Sequence, residues 1–201
     1  MATERERLFG ALAAAQGGWL QAQSLPSLNY VCGYCENTVA SASGYLWHPP
    51  QAGTPASARI CPHCRALTMF GRDGAKMPSP PRGRSVEHLP ERVAAVYDEA
   101  RNALSAGAPT AAALLSRTLL MHVACHLGAA EGDSFVAYVD YLETNHHVPP
   151  SGKQWLDHVR KQGNLSAHAL VIIPEKDATE LLTFIEMLLR LVFDFPARVP
   201  T

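Results

Sequence analysis

The chain has 201 residues, of which 47% are hydrophobic and 17% charged, a composition that indicates a folded protein with a buried core. Its formal net charge of −1 excludes a strongly basic surface of the kind that drives non-specific nucleic-acid binding. No run of residues approaches the roughly 18 to 20 apolar residues of a membrane helix, so we expect a cytoplasmic protein that does not associate with a membrane.

Residues 1–27 are predicted to form an N-terminal helical or extended segment. The apolar run Leu8–Ala15 follows Arg5 and Arg7, as in a signal peptide, but acidic residues interrupt the basic region. We therefore interpret this run as a short amphipathic helix.

Four of the five cysteines form two similar units, Cys32-Gly-Tyr-Cys35 and Cys61-Pro-His-Cys64, with 25 residues between them. A Cys-x-x-Cys turn lets two thiolates approach one ion, and two such turns supply the four ligands of a structural zinc site. The spacing predicts a zinc ribbon over residues 28–70 that holds one structural zinc ion.

Two other interpretations of these cysteines remain open, a redox-active pair and a set of two disulfides. A redox pair normally stands at the start of a helix in a βαβ context, and disulfides require a secreted chain. His48 and His63 could each replace one cysteine as a ligand, although the set of four is already complete.

Residues 71–88 are rich in proline, glycine and basic residues and almost free of apolar ones, which is typical of a linker. The charge changes sign near its end, from +3 over residues 1–89 to −4 over residues 90–201. Its basic residues are candidate contacts to RNA or DNA phosphates, with a solvated linker as the alternative. They are Arg72, Lys76, Arg82 and Arg84.

Apolar residues recur at helical spacing through residues 89–201, which we treat as one domain. Helices are predicted to begin at Pro90-Glu91, Pro109-Thr110, about Asp133, Ser151 and Glu175. The second is predicted to bury Leu114, Leu115, Thr118, Leu119, His122 and Val123, and the last to end at Pro196. Short connections favour antiparallel neighbours, so the predicted fold class is mainly α, an up-and-down bundle of four or five helices preceded by a small β ribbon.

A spacing of four residues separates Arg160 from Asn164 and Asn164 from His168. A continuous helix would place all three on one stripe, with about 12 Å between the outer two. The alternative is that Gly163-Asn164 ends the helix, which places His168 in a loop. Both arrangements remain open.

The run Gly163-Asn164-Leu165-Ser166-Ala167-His168 resembles a bacterial domain-of-unknown-function family with a GN-x-x-AH signature. That family is placed in the HEPN superfamily of helical bundles. The resemblance covers about residues 89–196, and an N-terminal Cys-x-x-Cys zinc module is a common attachment in such proteins.

The resemblance implies a helical bundle that forms a homodimer and acts on RNA. Catalytic HEPN proteins are metal-independent ribonucleases that use an arginine and a histidine, which here would be Arg160 and His168, with Asn164 in support. A histidine can accept the ribose 2′-hydroxyl proton while an arginine stabilises phosphorane charge. Seven residues separate the two here, a wider spacing than in that motif. Non-catalytic members act as dimerisation or adaptor domains.

Three hypotheses follow. The first is a non-enzymatic zinc protein that dimerises and contacts a nucleic acid or a protein partner in a defence, restriction or mobile-element system. The second is a HEPN-type endoribonuclease, and the third is a purely structural protein-interaction adaptor.

Overall fold

The computed structural model describes residues 18–48, 55–149, 152, 155–157, 159 and 172–199. The chain divides into two compact units, residues 1–80 and residues 81–201. In the described part, the first unit contains a β-sheet and the second contains helices. Among the described helices, none combines the length and the apolarity that crossing a membrane requires.

The first unit is built on an antiparallel sheet in which every strand pairs with the next one along the chain. Its strands are β1 (Gln23–Val31), β2 (Thr38–Trp47), β3 (Ala56–Ile60), β4 (Leu67–Phe70) and β5 (Lys76–Met77). Because strand direction alternates, the β1–β2 and β3–β4 turns lie at the same end of the sheet.

Buried polar side chains hold the central strands in register. Arg59 of β3 is 7% exposed, and its Nη1 donates a hydrogen bond to the Pro26 carbonyl oxygen at 2.7 Å. Pro26 lies where the β1–β2 register shifts, between Ser24 and Leu28. The Ser41 hydroxyl donates to the Ile60 carbonyl oxygen at 2.7 Å. Both bonds satisfy backbone acceptors that the strand pairing leaves open.

The predicted fold class, mainly α, is wrong: a five-stranded antiparallel sheet precedes the helices in the described part of the chain. The sheet runs from Gln23 to Met77, beyond both ends of the ribbon expected over residues 28–70. Its first strand begins within residues 1–27, and β5 lies within residues 71–88. The chain is therefore a sheet followed by helices rather than a helical bundle with a small attachment.

The second unit contains four main helices, and its α2 contacts each of the other three. They are α1 (Glu91–Ser105), α2 (Pro109–His126), α3 (Phe135–Thr144) and α4 (Glu175–Leu189). Residues 155–157 and 159 are also helical. The four helix starts described here lie close to the predicted positions, because prolines and the Ser134 cap mark them in the sequence.

The buried face of α2 differs from the predicted one. Leu114, Thr118 and His122 are exposed, although the helical spacing placed them inward. The buried residues are Ala112, Ala113, Ser116, Leu119, Leu120, Val123 and Ala124. Small residues make up much of this face, and Leu114 is exposed to solvent instead.

The sequence predicted that the C-terminal helix ends at Pro196, but the helical chain continues past this residue. After α4 the chain widens into a π-helix, Arg190–Asp194, and continues into a short helix, α5 (Phe195–Ala197). Pro196 has no N–H to donate, so a regular α-helical pattern cannot run through it. The π-helix places Asp194 inside the unit, where its side chain is 1% exposed.

Residues 81–88, which we call the strap, have mostly exposed side chains, but their backbone is hydrogen-bonded to the helices. The side chain of Arg101, 2% exposed on α1, donates to the carbonyl oxygens of Arg82 at 3.0 Å and Gly83 at 3.3 Å. The Tyr97 hydroxyl donates to the Arg84 carbonyl oxygen at 2.9 Å. The Arg101 guanidinium also forms an ion pair with the Asp98 carboxylate at 3.1 Å. One buried arginine therefore joins the strap to α1.

Replacing Arg101 with methionine should lower the stability of the helical unit by about 1.5–3 kcal/mol, the usual contribution of hydrogen bonds to a charged group. The strap carbonyls would lose their donors while remaining on the helix surface. Thermal unfolding followed by the helical circular dichroism signal measures the change. The matched control is Arg92→Met on the exposed face of the same helix, and an equal loss in both variants would contradict the assignment.

Candidate metal centre

The two Cys-x-x-Cys units form the turns that join β1 to β2 and β3 to β4. Both turns have the same hydrogen bonds. The N–H of the first cysteine, Cys32 or Cys61, donates to the carbonyl oxygen five residues later, at 2.9 and 2.8 Å. The carbonyl oxygen of this first cysteine accepts a hydrogen bond from the N–H of the residue after the second cysteine, which is Glu36 or Arg65. The two units are therefore copies of one local structure.

Glu36 and Arg65 also share a left-handed backbone conformation, with φ of 57° and 64°. This conformation costs a non-glycine residue free energy, so the surrounding contacts must hold it. It turns the chain back into the following strand after the second cysteine. The Tyr34 N–H points at the Cys32 sulfur at 3.4 Å.

The four sulfur atoms come together at this end of the sheet. Cys32 Sγ lies 3.8 Å from Cys64 Sγ, and Cys35 Sγ lies 3.8 Å from Cys61 Sγ. All four sulfurs lie within 4.8 Å of one another. A disulfide bond is about 2.05 Å long, so these cysteines are free thiols that face a common point rather than two disulfides.

The arrangement fits a tetrahedral metal ion. Four sulfurs at the usual zinc–sulfur distance of about 2.3 Å from a central ion lie about 3.8 Å apart from one another. This equals the separations measured between the two turns. Cys32 and Cys61 are fully buried, and Cys35 and Cys64 are half-buried, so the centre is largely closed to solvent.

Electrostatics supports a cation at this point. Burial raises the pKa of the Cys61 and Cys64 thiols, and a negative charge on Cys32 raises both further. Burial also acts to raise the pKa of Cys35, but hydrogen bonds from Asn37 outweigh it and lower the pKa to about 7. Four thiolates this close repel one another, and a divalent cation between them removes that penalty.

Neither of the two histidines considered as ligands belongs to the cluster. The side chain of His63 lies 3.2 Å from the Asn37 amide nitrogen, which links the two turns on their outer side. His48 lies at the end of β2, outside the cluster of four sulfurs. The donor set is therefore thiol only.

The first turn depends on a glycine that the metal-ligand pattern does not explain. A side chain at Gly33 would overlap the Pro78 carbonyl oxygen, which follows β5. Lys76 of β5 also reaches this region and donates from Nζ to the Val31 carbonyl oxygen at 3.3 Å. The end of the sheet thus packs against the first cysteine turn, a contact with no signal in the sequence.

The predicted nucleic-acid contacts are divided between the two units, with Arg72 and Lys76 in the first and Arg82 and Arg84 in the second. Arg72 is exposed in the turn after β4. The Lys76 amine donates a hydrogen bond to the Val31 carbonyl oxygen within the first unit. Arg82 forms an ion pair with Glu175 at 3.1 Å, and the side chain of Arg84 is exposed on the strap. Arg72 and Arg84 therefore keep exposed charges, each within its own unit.

Arg160, Asn164 and His168 lie outside the described residues. The ribonuclease assigned to them stays a prediction, as does the HEPN resemblance that motivated it. Whether Gly163-Asn164 ends a helix also stays open.

Comparison with known protein families matches residues 98–201 to a domain of unknown function, DUF4145. The chain belongs to the DUF4145 family. The match covers just over half of the chain and lies wholly within the helical unit, so the sheet with its four cysteines precedes the family domain. Neither the curated proteins nor the solved structures provide a match.

Replacing Cys61 with serine should abolish metal binding by the cysteine cluster and unfold the sheet while most of the helical signal remains, because the helices have their own core. Metal content after gel filtration and far-ultraviolet circular dichroism measure the two effects. The control is Cys125→Ser. Cys125 is the fifth cysteine of the chain and lies on α2, outside the cluster, so this variant should keep the metal. Full metal content in the Cys61 variant, or loss of half of its helical signal, would be inconsistent with this expectation.

Proposed function

We propose that the protein is a zinc-stabilised binding protein whose sheet unit contacts single-stranded nucleic acid. The observation that carries this proposal is one open face of the sheet, where exposed aromatic and apolar side chains lie beside an exposed arginine. The DUF4145 domain follows this unit in the same chain.

The metal in this proposal is zinc with a structural role. Thiolate ligands favour zinc over magnesium, calcium or manganese, which prefer oxygen ligands. A set of four cysteines fills every position of tetrahedral zinc, so no position remains for a reacting water molecule. The donor set therefore supports a binding protein rather than a zinc enzyme.

The register of the strands places six apolar residues on one face of the sheet. Trp47 pairs with Ala56, and Met69 lies between Ala58 and Met77 in a continuous row. Trp47 is 55% exposed, and both methionines are exposed further. The face consists of Tyr45, Trp47, Ala56, Ala58, Met69 and Met77. Exposed apolar faces of this kind mark interaction sites.

A basic group lies beside this face. Ala56, Gly71, Arg72 and Asp73 line an open groove of about 710 Å³. Ala56, one of the residues that line the groove, is the cross-strand partner of Trp47. Stacking of a base on an aromatic ring together with a cation for the backbone is the usual recognition of single strands.

The charge of the sheet unit agrees with an anionic partner. Its described residues include four lysines and arginines against two acidic residues, Glu36 and Asp73. Asp73 lines the groove itself and disfavours a phosphate directly beside it, so we place the phosphate contact at Arg72 and the base at Trp47.

Homodimer formation through the helical unit is also part of this proposal, supported only by the resemblance of that unit to dimeric proteins. Light scattering of the full chain measures it. A protein partner for the sheet is the competing interpretation of the apolar face, and the nucleic-acid experiment separates the two.

Trp47→Ala should weaken binding of a fluorescently labelled single-stranded oligonucleotide by about fivefold or more, because stacking contributes about 1–3 kcal/mol per base. Trp47→Phe keeps an aromatic ring and should retain most of the affinity. Arg72→Gln should weaken binding and reduce its dependence on salt. Fluorescence anisotropy of the zinc-loaded protein at two salt concentrations measures all three variants.

Arg92→Gln, an exposed arginine of the helical unit, is the control for lost positive charge. Equal weakening in Arg92→Gln and Arg72→Gln, or no oligonucleotide binding by the folded, zinc-loaded chain, would reject the nucleic-acid assignment in favour of a protein partner.

A further inference from the structure

A second cluster of metal-ligating side chains lies in the helical unit, apart from the cysteines. Glu87 and His88 end the strap, and Asp194 ends the π-helix. One carboxylate oxygen from each acid and one ring nitrogen of the histidine all lie within 4.8 Å of one another. Neither the zinc centre nor the proposed nucleic-acid face uses these residues.

The buried carboxylate of Asp194 is only partly satisfied. Its Oδ1 accepts a hydrogen bond from Arg198 Nε at 2.7 Å. Its Oδ2 is buried and has no hydrogen-bond partner in the described part of the chain, and Arg190 Nη1 lies 3.5 Å from it, at the limit of hydrogen-bond distance. A buried carboxylate oxygen without a hydrogen bond is costly, so it is available as a ligand.

Arg198 holds the two acids together. Its Nε donates to Asp194 and its Nη2 donates to Glu87 Oε2 at 2.8 Å. Each carboxylate has a second oxygen that this arginine does not use. The guanidinium therefore positions both acids and leaves one oxygen on each for another partner.

The charge balance of the cluster accommodates a cation. Arg190 and Arg198 supply two positive charges, against the three carboxylates of Glu87, Asp194 and Glu186, the last of which pairs with Arg190 at 3.1 Å. With His88 neutral, the group carries a net charge of −1. A divalent ion would change that sum to +1.

We propose that Glu87, His88 and Asp194 bind a divalent transition-metal ion. One imidazole nitrogen and two carboxylate oxygens suit ions such as manganese, iron, cobalt or zinc, whereas calcium and magnesium prefer oxygen ligands alone. The ion joins the strap to the π-helix, so its binding stabilises the helical unit. The site is independent of the proposed nucleic-acid binding.

The experiment is a titration with Co²⁺ of the full chain that carries one equivalent of zinc, the amount that the four cysteines take, because the absorption spectrum of cobalt reports the type of ligand that binds it. Cobalt bound to thiolates gives intense near-ultraviolet charge-transfer absorption, whereas cobalt bound to nitrogen and oxygen gives only weak visible bands. We expect one Co²⁺ per chain with weak visible absorption, and a higher unfolding temperature of the helices.

His88→Ala and Glu87→Gln should each weaken this binding by about tenfold or more. Loss of a residue that only hydrogen-bonds a metal ligand typically lowers metal affinity by that factor, and these variants remove a ligand itself. His122→Ala and Glu131→Gln, at exposed positions outside the cluster, should leave it unchanged. Circular dichroism shows that each variant is folded. Cobalt that binds only with thiolate absorption, does not bind at all, or binds the His88 and control variants equally would overturn the proposal.

Discussion

The meeting of four thiols at one end of the sheet is the constraint on which the first unit depends. The apolar residues buried around them are few, namely Tyr30, Val39 and the cysteines themselves. A small domain with so little core needs a covalent or metal link for stability. The matched turns and the left-handed residues after them bring these sulfurs together. A metal ion bound there would link the β1–β2 and β3–β4 hairpins, in addition to the strand pairing and side-chain hydrogen bonds that already join them.

The helical unit is held together in a different way. Its core is continuous through all four helices, and α2 contributes mainly small residues to it. Polar groups complete the packing where the chain is irregular: Arg101 and Tyr97 bond the strap carbonyls, while Glu186 accepts from the Arg84 N–H at 2.9 Å. Because this unit does not rely on the cysteines, the two halves of the chain need not share one unfolding transition.

The meeting of the four cysteines and the helix starts could be predicted from the sequence because their signals are local. Cys-x-x-Cys spacing encodes a turn, and prolines such as Pro109 mark where a helix begins. The extent of the sheet could not be predicted, because the small residues Ala40–Ser43 of β2 give little hydrophobic contrast between its two faces and Pro26 interrupts β1. The buried face of α2 also depends on neighbours that periodicity alone does not identify. In each case the missing information is tertiary contact.

The strap combines the composition of a linker with hydrogen bonds to the helices. Its side chains are polar and basic, as in a linker, but its bonds to the helices use mostly backbone carbonyl oxygens, which every sequence possesses. The same segment ends in Glu87 and His88, beside Asp194. The two clusters of the chain then differ in ligand chemistry, thiols in one and nitrogen and oxygen in the other. Since soft thiolates favour zinc while a mixed nitrogen and oxygen set also accepts harder ions, we expect the two clusters to differ in metal preference.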